Sequence, residues 1–402
     1  MPSSLTWLDH DNAAKERSHR LLQMFKESET RDELGIGAIR DSISDQLFPG
    51  TSVIQTRLRY MLLLPWLFMK MEDEGVPAAK FSKLARDREL MLNSQLRAER
   101  GAFGRVTGDE LQRLASSVYW AGLGRWGLRV FNGTQQEYFR RIDSVYAARH
   151  RKQRKDDDDW LDPLKGATWH ASLRELVPEG DLGALLDQAT LELNSDEAQF
   201  LREQWRKLHP DSLLSWLAFD TESLSSKVEA DAPWLHPRQA SFPKEMRELV
   251  EHGRKFSKLI EGAALVYNLS LSEVWNRSDG VDAYRHRLTE WATSVQSNGF
   301  AGWSLEDFWL RVKGRNHTIT LSTQTFIKNW FRLVSDGPDQ IPESKVARDL
   351  IRHREESMKG SRSRFKNAGT WGGSSGLTVL TYRWRLASDF LSDLAAGLGS
   401  KA

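Results

Sequence analysis

Residues 48–68 read FPGTSVIQTRLRYMLLLPWLF, and what this stretch becomes decides the fold class. Pro49-Gly50 marks a turn, after which Thr51 or Ser52 is placed to cap a helix. Val53, Arg57, Met61, Leu64 and Phe68 then recur at spacings of three and four, the period of an α-helix. Tyr60 to Met69 is apolar on every face, so such a helix has protein on all sides. Lys70 ends the run short of the roughly 20 apolar residues a bilayer requires, which makes it a core helix and not a membrane span. Arg57 and Arg59 stand two apart and leave the helix on nearly opposite sides. A guanidinium is not left unpaired in a core, so each is expected to reach a carboxylate, solvent or an anion, and both are candidate anion contacts.

Working outward, helical periodicity recurs over 12–28, 36–46, 52–74, 77–99, 108–126, 134–149, 195–208, 212–220, 243–268, 281–296, 304–313, 322–335, 343–358 and 383–396. Only GLTVLTYRW at 376–384 and HTITLST at 317–323 have strand-like β-branched content. The expected fold is mainly α, with two helical domains and a short β element near the C-terminus. HRKQRKDDDDW at 150–160 sets a basic block against four aspartates, the pattern of a solvated linker. The expected organisation is a helical domain over 1–149, a charged linker over 150–165 and a second helical domain over 166–402. Consecutive aspartates cannot all converge on one cation, and the run lacks the glycine and spacing of a calcium loop.

Composition narrows the chemistry. The 402 residues contain no cysteine, which excludes disulfides, thiolate metal sites and a cysteine nucleophile. The N-terminal residues show no secretion or transit pattern, so a cytoplasmic location is expected. The 57 basic residues nearly balance 55 acidic ones, so net charge is silent on partners and distribution must decide. From 175 to 231 there are thirteen acids against four bases; from 345 to 385 there are ten bases against three acids. Sixteen tryptophans are many for this length, and most are expected in the core.

Several motifs invite a catalytic reading. GLGRWG at 122–127 matches the dinucleotide fingerprint in letters, but a helical pattern precedes it where a strand is required, so it reads as a helix end and turn. Thr134 to Glu137 forms a capping box opening the next helix, and the long connection at 128–133 favours a helical hairpin over a helix-turn-helix. Pro338-Asp339 with Glu343-Ser344-Lys345 has nuclease-like letters, yet only three residues separate the carboxylates and Pro342 lies between them. Arg348 and His353 resemble the arginine–polar–x3–histidine motif of the helical HEPN ribonucleases, which implies proton transfer and phosphate stabilisation by that pair; Arg247 and His252 share the spacing. The histidines are scattered without ligand spacing, and no cofactor or metal is expected.

The segment 359–385 interleaves bases with aromatics around a glycine-rich turn, a composition suited to phosphate contacts and base stacking. Lys359, Arg362, Arg364, Lys366, Trp371, Tyr382, Arg383 and Arg385 are therefore the candidate nucleic-acid-binding residues. LFPGTSVIQTRLRYMLLLPWLF, YWAGLGRWGLR, and a closing WGG followed by YRWR resemble an uncharacterised bacterial family, domain of unknown function 6361. The resemblance extends over most of the chain. Such families often lie beside phage-defence genes, which implies an antiviral role and protein partners from the same operon, but no reaction. The expected function is a non-catalytic accessory protein that binds DNA or RNA, with a metal-independent ribonuclease as the alternative.

Overall fold

A computed structural model describes residues 32–103, 113–154, 166–225, 230–313, 317–367 and 371–399. The helices are α1 (Gly37–Leu47), α2 (Tyr60–Asp73), α3 (Ala78–Gln95), α4 (Ala115–Arg125), α5 (Gln135–Arg154), α6 (Leu173–Leu176), α7 (Leu182–Asp187), α8 (Ser195–Leu208), α9 (Leu213–Phe219), α10 (Thr221–Ser225), α11 (Lys244–Val274), α12 (Ser278–Asn298), α13 (Leu305–Val312), α14 (Leu321–Asp336), α15 (Lys345–Lys359) and α16 (Trp384–Gly399). The protein is thus mainly helical. Among the described residues the β pairing is one isolated bridge between Arg129 and Trp169. The expected helix at 12–28 lies outside the described residues, as does 155–165 of the expected linker.

The expected C-terminal β element does not form. Tyr382 and Arg383 both adopt left-handed backbone angles, φ 55° and 68°, which end an extended run where a strand would continue. Within 317–323 no strand forms and helix α14 begins at Leu321, where the Thr320 hydroxyl accepts from the Thr323 amide and caps it.

The chain divides into two compact units, one of Met1–Ile43 with Glu248–Thr381 and one of Ser44–Arg247 with Tyr382–Ala402. The second is built on α2, in which every residue except Lys70 and Asp73 is buried. Helices α3, α4, α6 and α7 pack against it. Phe68 sits in an aromatic cage of Phe81, Trp120, Tyr138, Phe139 and Trp169, with ring centroids 5.8–6.5 Å away. At its far end Glu72 is buried but fully engaged. It accepts from Tyr138 (2.5 Å), Trp169 (2.9 Å), Thr168 (2.9 Å) and Arg149 (2.6 Å), which offsets the cost of desolvating a carboxylate.

Helix α2 begins eight residues later than the expected start at 52, because side chains capture the amides that a helix would use. The Ser52 amide donates to Gln55, those of Thr56 and Arg57 to the Tyr119 hydroxyl, and that of Leu58 to Asp393. Neither Thr51 nor Ser52 caps the helix; Arg59 holds the N-cap position.

In the first unit the long helix α11 is the spine. Trp291 and Trp330 donate their indole N–H groups to the Lys258 and Leu259 carbonyls of α11, and Trp303 donates to His252 Nδ1. That last bond makes His252 an acceptor at Nδ1, and its partial burial lowers its pKa, both of which favour the neutral ring. Across the described residues no helix is long and apolar enough to cross a membrane.

Candidate nucleic-acid interface

The family-like motifs of the second unit converge into a structural knot. Trp126 donates from Nε1 to the Pro49 carbonyl at 2.7 Å. Helix α4 runs through Gly122 and Gly124, and a Cβ on Gly122 would meet the Gly50 carbonyl oxygen at 2.5 Å. Gly122 therefore serves close backbone approach to the Pro49-Gly50 turn, and Gly127, at φ +68°, the turn that follows the helix. Trp384 packs against Phe48 and His236 at 5.9 and 5.7 Å and donates to the Ala230 carbonyl at 2.6 Å. Arg383 donates to Asp45 at 2.5 Å and to the Thr51 carbonyl at 2.8 Å, and Tyr382 is buried against Trp234. These contacts hold the two left-handed residues in place.

The same unit settles Arg57 and Arg59. Arg57 Nε donates to Asp393 at 3.0 Å, Nη1 to the Arg100 carbonyl and Nη2 to the Leu191 carbonyl. Arg59 pairs with Glu197 at 2.6 Å, the two side chains 9% and 1% exposed, and also donates to the Thr190 carbonyl. Both arginines tie the start of α2 to neighbouring elements, so of the partners expected for them the carboxylate is the one each meets.

In the first unit, α15 carries five of the ten bases over 345–385. Its inward face buries Ala347, Ile351, Arg354 and Glu355. Arg354 spends its donors on the Leu34 carbonyl, Ser322 and Thr323, and lies over Phe326. Arg348 is gripped by Glu273 through two bonds of 2.8 and 2.9 Å and also donates to the Pro342 and Ser344 carbonyls. His353 is exposed five residues on, about 140° further round the helix. The structure therefore does not bring Arg348 and His353 together as an acid–base pair.

Helix α15 ends at Gly360 (φ +55°), and a tight turn follows. Glu355, fully buried, accepts from the Ser363 hydroxyl at 2.5 Å and the Arg364 amide at 2.8 Å. The Lys366 and Asn367 amides bond to the Ser363 carbonyl, and Trp275 donates to the Arg364 carbonyl at 3.0 Å. Arg364 points inward to Ser375 and to Glu33, 3.0 Å away, and Lys359 also pairs with Glu33. The 371–376 loop is pinned in turn: Asn268 accepts from the Ser375 amide and the Trp371 indole, and Tyr284 donates to the Gly373 carbonyl at 2.6 Å.

The predicted set is thus divided. Lys359 and Arg364 are spent on Glu33, and Trp371 and Tyr382, buried to 3% and 2% exposure, offer no ring to a base, which corrects their assignment as stacking residues. Arg383 is spent on Asp45, and Arg385, although exposed, belongs with Tyr382 and Arg383 to the other unit. Arg362 and Lys366 stand exposed on the locked turn. Two further exposed cations of the first unit, absent from the predicted set, lie over aromatic rings of this segment. Arg277 is exposed and lies 4.9 Å over the Trp371 ring; Arg352, half exposed, lies 5.5 Å over Phe365 and pairs with Glu356 at 3.0 Å. The available signal for Arg277 is its place just after a long amphipathic helix, in Trp275-Asn276-Arg277.

Among the described residues no group of three histidine or acidic side chains is placed to hold a metal ion. A profile described as "Family of unknown function (DUF6361)" matches residues 2–397. Comparison with curated proteins and with solved structures gives no match.

Proposed function

We propose, for a chain that belongs to this family of unknown function, a nucleic-acid-binding role carried by Arg277, Arg352, Arg362 and Lys366 of the first unit. The observation that carries the reading is the turn at 360–367, whose backbone is locked from within by buried Glu355 while Arg362 and Lys366 face solvent. Cations presented on a fixed backbone lose little freedom on meeting phosphates, which is the setting in which charge contacts become affinity. The reading is one of binding without catalysis. The antiviral setting comes from the family resemblance alone.

The test is fluorescence anisotropy with labelled nucleic acid across a salt series. Four phosphate contacts give a slope of log affinity against log salt of about −3 to −4. The paired change Arg362→Glu with Lys366→Glu is expected to lower affinity at least ~10-fold at low salt. Equal affinity of the variant and the parent would remove these residues from the interface.

A further inference from the structure

We infer that the ligand of this surface is a double-stranded nucleic acid gripped through its phosphates, a conclusion that rests on the binding role proposed above. Proteins that hold single strands add base stacking on open aromatic rings to their charge contacts. Trp371 and Phe365 are withdrawn from that use. Trp371 is 3% exposed with its ring under the Arg277 guanidinium and its N–H on Asn268. Phe365, 4% exposed, has the Tyr267 ring at 5.7 Å and the Arg352 guanidinium at 5.5 Å. Trp275, half-buried, is anchored at its edge by the hydrogen bond from its N–H to the Arg364 carbonyl. What stands exposed is guanidinium and ammonium on rigid backbone, and such a surface responds to charge density. A duplex carries one charge per roughly 1.7 Å of axis against about 3.4 Å for each strand alone.

A second feature points the same way. Arg277 and Arg352 are seated over aromatic rings, a contact that orients the guanidinium plane and shortens its reach. Fixed, short-reaching cations suit a stiff backbone of regular phosphate spacing better than a flexible strand. Base composition enters nowhere in this arrangement, so affinity is expected to be nearly independent of sequence.

The experiment uses the full chain and three labelled probes of equal length: a DNA duplex, an RNA duplex and an oligothymidine single strand. Binding to one or both duplexes at least ~10-fold tighter than to the single strand is the expected result, and the two duplex arms tell which helix form is preferred. Tighter binding of the single strand would overturn this inference while leaving the binding role standing. Binding to none of the probes would overturn the binding role itself. Arg277→Ser adds a readout that a merely structural residue would not move. It removes one phosphate contact and uncovers Trp371, so duplex affinity falls ~3-fold while single-strand affinity does not, and the ratio narrows. A ratio unchanged by Arg277→Ser, in a variant that melts like the parent, would contradict the withdrawal of Trp371 as the source of the preference.

Discussion

Arg59 and Arg362 each come after a glycine-marked turn, yet they meet opposite fates. Arg59 lies in the second unit against buried Glu197, with its guanidinium 5.9 Å over Trp66. Arg362 lies in the first unit on a turn whose one inward-facing cation, Arg364, is already matched by Glu33. In both regions an internal carboxylate decides which arginine is structural. Where each carboxylate has its cation, as with Glu197, Glu33 and Glu273, the remaining cations are left to solvent and to ligands.

The largest way to break this comparison is to remove Arg59. Arg59→Ala leaves Glu197 charged and buried without its partner, and a loss of ~3–5 kcal/mol in unfolding free energy is expected from urea melts. A loss below ~1 kcal/mol would show that the pair is not buried as described.

A smaller effect sharpens the same rule through an exception. Glu89 is buried on α3 with the Ser116 amide on one oxygen at 2.8 Å and no hydrogen bond to the other. Burial pushes its carboxyl from 4.5 up to about 7, against the lowering effect of Ser116 and Arg86. Its folded-state value lies above its unfolded one, so the folded state holds the proton more tightly. The support this carboxyl gives the fold is therefore complete below about pH 4.5 and is lost as pH rises to 7. Glu89→Gln should stabilise the protein by ~3 kcal/mol at pH 8 and change little near pH 4, read from urea melts across pH. Parallel pH profiles for parent and variant would contradict the assignment.

The smallest effect belongs to the exposed set. Arg362→Glu with Lys366→Glu should leave the melting curve within ~0.5 kcal/mol of the parent, because neither side chain supports the fold. A large loss of stability in that variant would place these residues with Arg59.

Local pattern carried much of this architecture. The window 195–208 matches α8 to the residue, since Asn194 and Glu197 form a reciprocal capping box that announces the helix start. The apolar run at 60–69 is legible as a core helix because no face of it is polar. What stayed hidden are the partners, which lie far off in the chain. Asp393 is 336 residues from Arg57, and Glu33 is 326 from Lys359. Periodicity contains no information about such pairs, so a count of bases over 345–385 overstated the charge that faces outward. The left-handed angles of Tyr382 and Arg383 were equally invisible, because neither residue favours them and distant partners such as Asp45, Thr51 and Trp234 hold them there.

Residue-resolved chemical footprinting tests the division of cations most directly. An arginine-selective dicarbonyl and an amine-selective reagent would be applied with and without bound duplex, and modification read by mass spectrometry. Arg277, Arg352, Arg362 and Lys366 should react in the free protein and be protected by the duplex, while Arg59, Arg354 and Arg364 stay inert in both states. Rapid modification of Arg59 or Arg364, or an exposed set that the bound duplex leaves unprotected, would contradict it.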